Sequence, residues 1–441
     1  MTLAHAISRP LRATCLVAAT VFAPTHSVLA QVGTPSSGAL TLRMVLDSVR
    51  ANHPTIRAAD SRVDASRGSR STARAFGNPV LSYQVNQTPF PGGQPLALER
   101  EATTTATFPL EFLYQRGPRV ARADAELRSA TAEAINTRQR LGLAAADAFY
   151  RVALAQIQVA TTRDVVGWLD TLVAYNRFRV AEGAAAEADL IRAEVERDRS
   201  AAEATLGEAE LLRARAALDA FISNDERANA RTIVAVDATP LALPASSAFN
   251  LDARPDVRAA RERVTASAAA VSSERTMIFR EVGATIGAMQ TGPTTSMVAG
   301  VSLPLPSFNT NRGEIQRARA ERAVAGFELA TQERLARAEF NGALEAARVL
   351  SARVSTLAGN DSASFLARVD EARRIALGTY REGAIPLFQV IDATRSWADA
   401  RMTYYQTLIA QHQSVLALIV AEGLDLFTAA PQPRATGDAS R

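Results

Sequence analysis

The stretch PTIRAADSRVDAS, Pro54 to Ser66, returns 201 residues later as PDVRAARERVTAS, Pro255 to Ser267. Pro, Arg, Ala, Ala, Arg, Val, Ala and Ser are unchanged between the copies. Proline at the head of an Ala/Arg-rich run is a helix start, because its fixed φ suits the first helical position. A chain that writes one helix start twice is built from two similar halves. Other segments correspond at nearly the same offset. Glu182-Gly183-Ala184 returns as Glu382-Gly383-Ala384, Ile191 as Ile391, Ala193 as Ala393, and Arg116-Gly117 as Arg312-Gly313.

Prolines divide the halves. None occurs between Pro118 and Pro240, or between Pro306 and Pro386, and both intervals are rich in strong helix formers. A helix from Gly117 to Glu182 would be roughly 100 Å long. Apolar residues recur three and four apart through Leu141, Ala144, Ala145, Ala148, Phe149 and Val152, the pattern of a coiled coil or helical repeat. Each long helix is expected to end at a glycine, Gly183 or Gly383, with helical pattern resuming at once. Each site therefore reads as the tight tip of a helical hairpin.

Ahead of each long helix the composition changes. Residues 78–110 hold two alternating runs, LSYQVNQ and TTTATFPL, around a Pro/Gly loop. Residues 281–306 repeat the plan with GATIGAM, a Thr-Gly-Pro turn and SMVAGVSL. The expected strands are about 79–87, 102–109, 281–290 and 295–304. The expected layout is a leader at 1–30, a first repeat at 31–222, a linker at 223–251, a second repeat at 252–427 and a disordered tail at 428–441.

The leader expectation rests on Arg9 and Arg12, an apolar run from Cys15 to Ala23, and Val28-Leu29-Ala30 before the cleavage point. Cys15, the one cysteine, would leave with it, so neither disulfides nor a thiolate metal site is expected in the mature chain. The remaining sequence has no apolar run of about 18 residues. An exported chain without one is soluble or crosses a membrane as strands. Four strands cannot close a barrel, for which about eight are needed, and open edges do not occur in lipid. A cyclic homo-oligomer removes the edges, and three copies supply twelve strands.

Other chemistry is sparse. The chain contains no lysine, and its arginines alternate with acids to a net charge of +4, the pattern of solvated helix faces and not of a nucleic-acid patch. His53 reads as a helix-start or surface residue and His412, in QHQ, as a packing or lumen residue. No two histidines lie four apart, and no phosphate loop, serine elbow or dinucleotide fingerprint occurs. No catalytic residue, resident metal or cofactor is expected.

This organisation resembles the TolC-like outer-membrane efflux family over essentially all of the chain after the leader. The residues that carry the resemblance are LTLRMVLDSVRANHP at Leu40–Pro54, the duplicated P-x-[IV]-R-A-A start and the two tips. FPLEFLYQRGPR and VSLPLPSFNTNRGEI are similar to the strand-to-helix junctions of the outer-membrane component of cobalt–zinc–cadmium efflux pumps. The resemblance implies a mostly α fold with a small β part: tandem-duplicated long helical hairpins plus four strands per chain. Three copies would make a trimeric 12-stranded outer-membrane barrel continued by a periplasmic α-helical barrel. It implies a passive exit duct, not an enzyme, working with a periplasmic adaptor (membrane fusion protein) and an inner-membrane pump of the RND type. Divalent heavy-metal cations are the cargo it suggests; drugs or secreted proteins would use the same fold. A soluble periplasmic coiled-coil scaffold or adaptor is the contrasting reading, and a hairpin of strands before each helical hairpin speaks against it.

The same resemblance implies roles at the tips. Gly183 and Gly383 match the family's tip glycines. Asp189 matches an acidic residue six positions beyond the first glycine, and Tyr380 a tyrosine able to reach that acid when the tunnel is closed. Asp392 matches one of two acidic positions that form a carboxylate ring, while Gln389 departs from the other. Gln389 and Asp392, three apart, share a helix face. In a ring, three Asp392 carboxylates would repel one another. The plainer alternative for Asp392 is a solvated helix aspartate.

Overall fold

The computed structural model describes residues 40–86, 101–222, 239–244, 249–279, 281–359 and 364–429. The expected leader, most of the linker and residues 430–441 lie outside the described residues.

Two short helices open the first half, α1 (Leu42–Asn52) and α2 (Pro54–Arg74). Thr41 caps α1 by accepting the Met44 N–H at 3.3 Å. His53 caps α2, its Nδ1 accepting the Thr55 N–H at 3.2 Å, with Pro54 at the first turn. The cognate start in the second half is built differently. There Arg254 and Asp256, 6% exposed each, form a buried bidentate pair, with Nε–Oδ1 at 3.0 Å and Nη2–Oδ2 at 2.6 Å. Arg254 also reaches Glu339, and Asp256 accepts the Val257 N–H. The repeated sequence PxxRAA thus keeps the helix but not its cap.

Strand β1 (Val80–Asn86) is followed by β2 (Glu101–Pro109), then by α3 (Arg116–Ala181) and α4 (Glu187–Asp219). At 66 residues α3 runs ~100 Å. The second half repeats the order with α5 (Pro255–Thr276), β3 (Gly283–Thr291), β4 (Thr294–Ser302), α6 (Arg312–Ala358), α7 (Phe365–Arg381) and α8 (Leu387–Ala421). One long helix is expected where α6 and α7 stand. The first ends at Gly359, which has φ 50°, and the second starts afresh with Ser364 capping the Ala367 N–H at 3.2 Å. The sequence between reads Gly-Asn-Asp-Ser-Ala, whose side chains favour turns over helix. The absence of proline in this interval is therefore not enough to keep it helical. A last short helix, α9 (Leu426–Ala429), buries Leu426 and Phe427 against α3 and α8. Thr428 and Ala429, assigned to the tail from sequence, are helical.

The four strands form one antiparallel sheet in the order β1-β2-β3-β4, with β2 and β3 joining the halves. Register sorts the side chains. One face carries Leu81, Tyr83 and Val85 of β1, Ala106 and Phe108 of β2, Ile286 and Ala288 of β3, and Met297, Ala299 and Val301 of β4. The other carries Ser82 and Gln84, Thr103, Thr105 and Thr107, Thr285 and Gly287, and Ser296 and Gly300. The first face is mainly apolar, with Thr104, Gln290 and Thr295 also on it; the second is mainly polar or small, with Val80, Met289 and Val298 also on it. Tyr83, Leu81, Met297 and Val301 are all more than half exposed, so no described part of the chain covers this face. The outer edges of β1 and β4 are unpaired among the described residues.

The main core lies away from the sheet, around the middle of α3 and the C-terminal part of α8. Phe149, Leu416, Leu418 and Leu426 are fully buried there among alanines such as Ala145 and Ala146. Small residues let the helix axes approach closely. The QHQ sequence on α8 straps residues 239–244 onto this core. Gln411 donates to the Leu241 carbonyl at 2.7 Å and accepts its N–H at 3.1 Å, while His412 contacts the Thr239 carbonyl at 3.0 Å. His412 is 1% exposed and packs edge-on to Tyr150, the packing role among those open to it from sequence.

Candidate functional site at the helical tips

Both tips are built by the same backbone device. At the end of α3 the Gly183 N–H donates to the Val180 carbonyl at 3.0 Å, and the Ala184 N–H to Arg179 at 2.8 Å. At the end of α7 Gly383 donates to Tyr380 at 2.9 Å and Ala384 to Thr379 at 3.0 Å. This pair of backward bonds is the Schellman closure, which needs a left-handed residue at the turn. Gly183 has φ 72° and Gly383 φ 77°. No other atoms crowd either position, so the glycine requirement is conformational and not steric. Arg179 reinforces the first tip by donating to the Ala184 carbonyl at 2.9 Å. Ala186 and Pro386, both extended, then start α4 and α8.

Above the tips the two hairpins share an apolar seam. Val165, Leu169, Leu172 and Val173 of α3 meet Tyr380 of α7 and Leu387, Val390 and Trp397 of α8. Tyr380, 5% exposed, donates its hydroxyl to Asn176 Oδ1 at 2.8 Å, and its ring packs edge-on to Tyr175. Asn176 is fully buried and returns its amide to the Leu172 carbonyl at 3.0 Å. The resemblance implies that Tyr380 reaches Asp189. In this chain the hydroxyl goes to Asn176, and Asp189 sits half-buried in the first turn of α4. A buried phenol needs a partner, and Asn176, about two turns above Gly183 on the facing helix, supplies it.

Gln389 and Asp392 are both exposed on α8. Asp392 lines an open cleft of ≈ 310 Å³ with Arg192, Glu196, Phe388, Ile391 and Arg395. Arg395 grips Glu196 of α4 in a bidentate pair, Nε–Oε1 at 2.6 Å and a second contact from Nη2 to Oε2. The Glu196 hydrogen bond, then its charge and that of Asp392, hold the guanidinium above its usual pKa against the opposing effect of burial. Two arginines and two acids line the cleft. Asp392 therefore faces a nearby cation, which moderates the carboxylate repulsion expected from a bare ring. Among the described residues no cluster of three His, Cys, Asp or Glu is arranged to hold a metal ion.

Asn176, Glu196 and Arg395 escape sequence reasoning. Their partners lie 204 and 199 residues away, and only the offset of the duplication hints that those stretches meet.

Residues 45–224 match the model of the family described as Outer membrane efflux protein. The cobalt-zinc-cadmium resistance protein CzcC of Cupriavidus metallidurans is 27% identical over 398 residues, 87% of this chain and 90% of that protein. Among solved structures, a membrane protein from Pseudomonas aeruginosa matches with a TM-score of 0.73 at 19% identity, covering 86% of this chain and 92% of that one. The outer membrane protein VceC from Vibrio cholerae matches at 0.72 and 20% identity, covering 87% and 96%. The family match in the first half, the second copy of the same plan in the other half and the shared fold agree: residues 45–224 are similar to the outer membrane efflux protein family, and the chain has the TolC-like fold.

Proposed function

We propose that three copies of this chain form an exit duct across the outer membrane, passing divalent heavy-metal cations out of the cell. The observation that carries the reading is the four-stranded sheet with one mainly apolar face, one mainly polar or small face and two edges unpaired among the described residues. No helix among the described residues is long and apolar enough to cross a membrane. The sheet has the alternation of a transmembrane barrel wall, apolar toward lipid and polar toward the lumen. Three of its strands have nine residues and β1 has seven, near the length such a wall requires. In a ring of three, β4 of one copy pairs with β1 of the next, and every edge is satisfied. Because each copy contributes an even number of strands, every pair in the ring is antiparallel.

The long hairpins continue the duct through the periplasm, and their tips meet an adaptor that couples the duct to an inner-membrane pump. The cargo reading is supported by the likeness to the cobalt-zinc-cadmium resistance protein. It is also supported by the mixed charge beside Asp392, which lets cations pass without being held. The protein needs no catalytic residue for this work, and residues 1–30 serve as its export leader. The purified protein, reconstituted in planar bilayers, is expected to give discrete conductance steps, and loss of its gene to raise sensitivity to cobalt, zinc or cadmium. Conductance with unchanged metal sensitivity would leave the duct and reject the metal cargo. Absence of conductance steps, with the protein recovered soluble in the periplasm, would reject both.

A further inference from the structure

The mainly polar face of the sheet stacks in rows across the four strands, and the rows differ in size and charge. The row farthest from the helices is Asn86, Glu101, Thr291 and Thr294, and the next contains Gln84 and Met289. The following two rows toward the helices hold only Val, Thr, Ser and Gly. The larger side chains of this face therefore gather at its far end. Charge gathers there too. Glu101 is the one residue of the four strands with a formal charge, and no strand carries a basic residue. In the whole chain 21% of residues are charged, so the strands exclude charge almost completely and keep it at one position. That position is on the face with Thr103, Thr105 and Thr107, not on the face with Tyr83 and Phe108.

A charge on the wall of a pore acts most strongly where the water column is narrow, because low-dielectric walls focus its field. Side chains on the lumen face of a barrel tune selectivity, and a ring of carboxylates favours cations. In a ring of three copies the far row places three Glu101 carboxylates among Asn and Thr, beside the row that Gln84 and Met289 narrow. We propose that Glu101 sets the charge preference of the barrel, favouring cations over anions at the mouth that opens away from the helices. One carboxylate per copy, spaced around the ring, biases passing ions without holding them. The remaining strand positions are neutral and add no preference of their own. The duct thus discriminates at a second place, at the opposite end from Asp392. This rests on the outer-membrane reading, and the test separates the two.

Reversal potentials of single channels in a potassium chloride gradient give the ratio of potassium to chloride permeability. The full chain is measured in planar bilayers with Cys15→Ser as background. Glu101→Gln, which keeps the shape of the side chain, is expected to lower the ratio about fivefold. Glu101→Cys is expected to lower it equally. A thiol-reactive sulfonate, which returns a negative charge to that position, should restore the ratio, and a thiol-reactive quaternary ammonium should shift it toward chloride. Tyr83→Cys, on the other face of the sheet, should respond to neither reagent. An unchanged ratio in Glu101→Gln overturns the role of Glu101 and leaves the duct. A ratio lowered in Glu101→Cys that neither reagent moves also overturns it, since the loss then comes from shape and not from charge. No channels from the unsubstituted protein overturn the duct reading and the role of Glu101 with it.

Discussion

Asp392 and Arg395 sit three residues apart on one helix and share a cleft, so neither acts alone at the tip. Removing the carboxylate should weaken block of single-channel current by divalent cations. Removing the neighbouring cation should do the opposite. A charge near a wet surface is worth on the order of 1 kcal/mol, about fivefold in a blocking constant. Asp392→Ala is therefore expected to raise the zinc concentration for half-block several-fold, and Arg395→Gln to lower it. If neither substitution moves the block, the tip is not where cations meet the narrowest field, and Asp392 is an ordinary solvated aspartate. Asp256 tests a different property. Burial raises its carboxyl pKa, but hydrogen bonds and charge from Arg254, with the Val257 N–H, outweigh this and hold it below the usual value. A carboxyl whose folded pKa is depressed stabilises the fold above its unfolded pKa, and that contribution is lost as pH falls through the folded value. Wild-type protein should therefore lose melting temperature below about pH 4, and Asp256→Asn should flatten that slope while costing about 3–5 kcal/mol at neutral pH. An equal acid slope in the variant would show that other carboxylates carry the effect. Gly287 is constrained from outside the residue, since a Cβ there would lie 2.2 Å from the Thr104 carbonyl oxygen on the neighbouring strand. Gly287→Val should separate β2 from β3, the seam between the halves, and abolish channel insertion. The control Gly300→Val, at a position with open space, should insert normally.

At the scale of elements, the duplication made most of the fold legible. Two copies of a helix start, a strand pair and an EGA turn are local features, and each is set by residues adjacent in sequence. The tips were readable because a left-handed residue after a helix has few sequence solutions, and glycine is the usual one. The break between α6 and α7 is not marked by proline; its signal is Gly359 and the polar turn formers after it. The sheet was legible as strands but not as a membrane wall. Thr, Ala and Gly fill so many positions that alternation is faint in any one strand. It becomes clear only when the register stacks Leu81 and Ala106, Ile286 and Ala299 on one side. The partners at the tip were illegible for another reason. Tyr380–Asn176 and Arg395–Glu196 join different halves, and sequence spacing does not encode which faces of two coiled helices meet.

The whole molecule makes sense only as part of a ring. Among the described residues a single chain leaves its sheet open at β1 and β4 and its mainly apolar face bare, both of which lipid and neighbouring copies would remove together. The claim is tested most directly by cross-linking those edges. In a Cys15→Ser background, single cysteines at Ser82 or Gln84 on β1 are combined with single cysteines at Ser296, Val298 or Gly300 on β4. All face the polar side. After oxidation in the outer membrane, the best-matched pair is expected to give dimers and trimers on a denaturing gel, with no band beyond three copies. A ladder that continues past three, or no cross-link from any pair, would contradict the twelve-stranded ring.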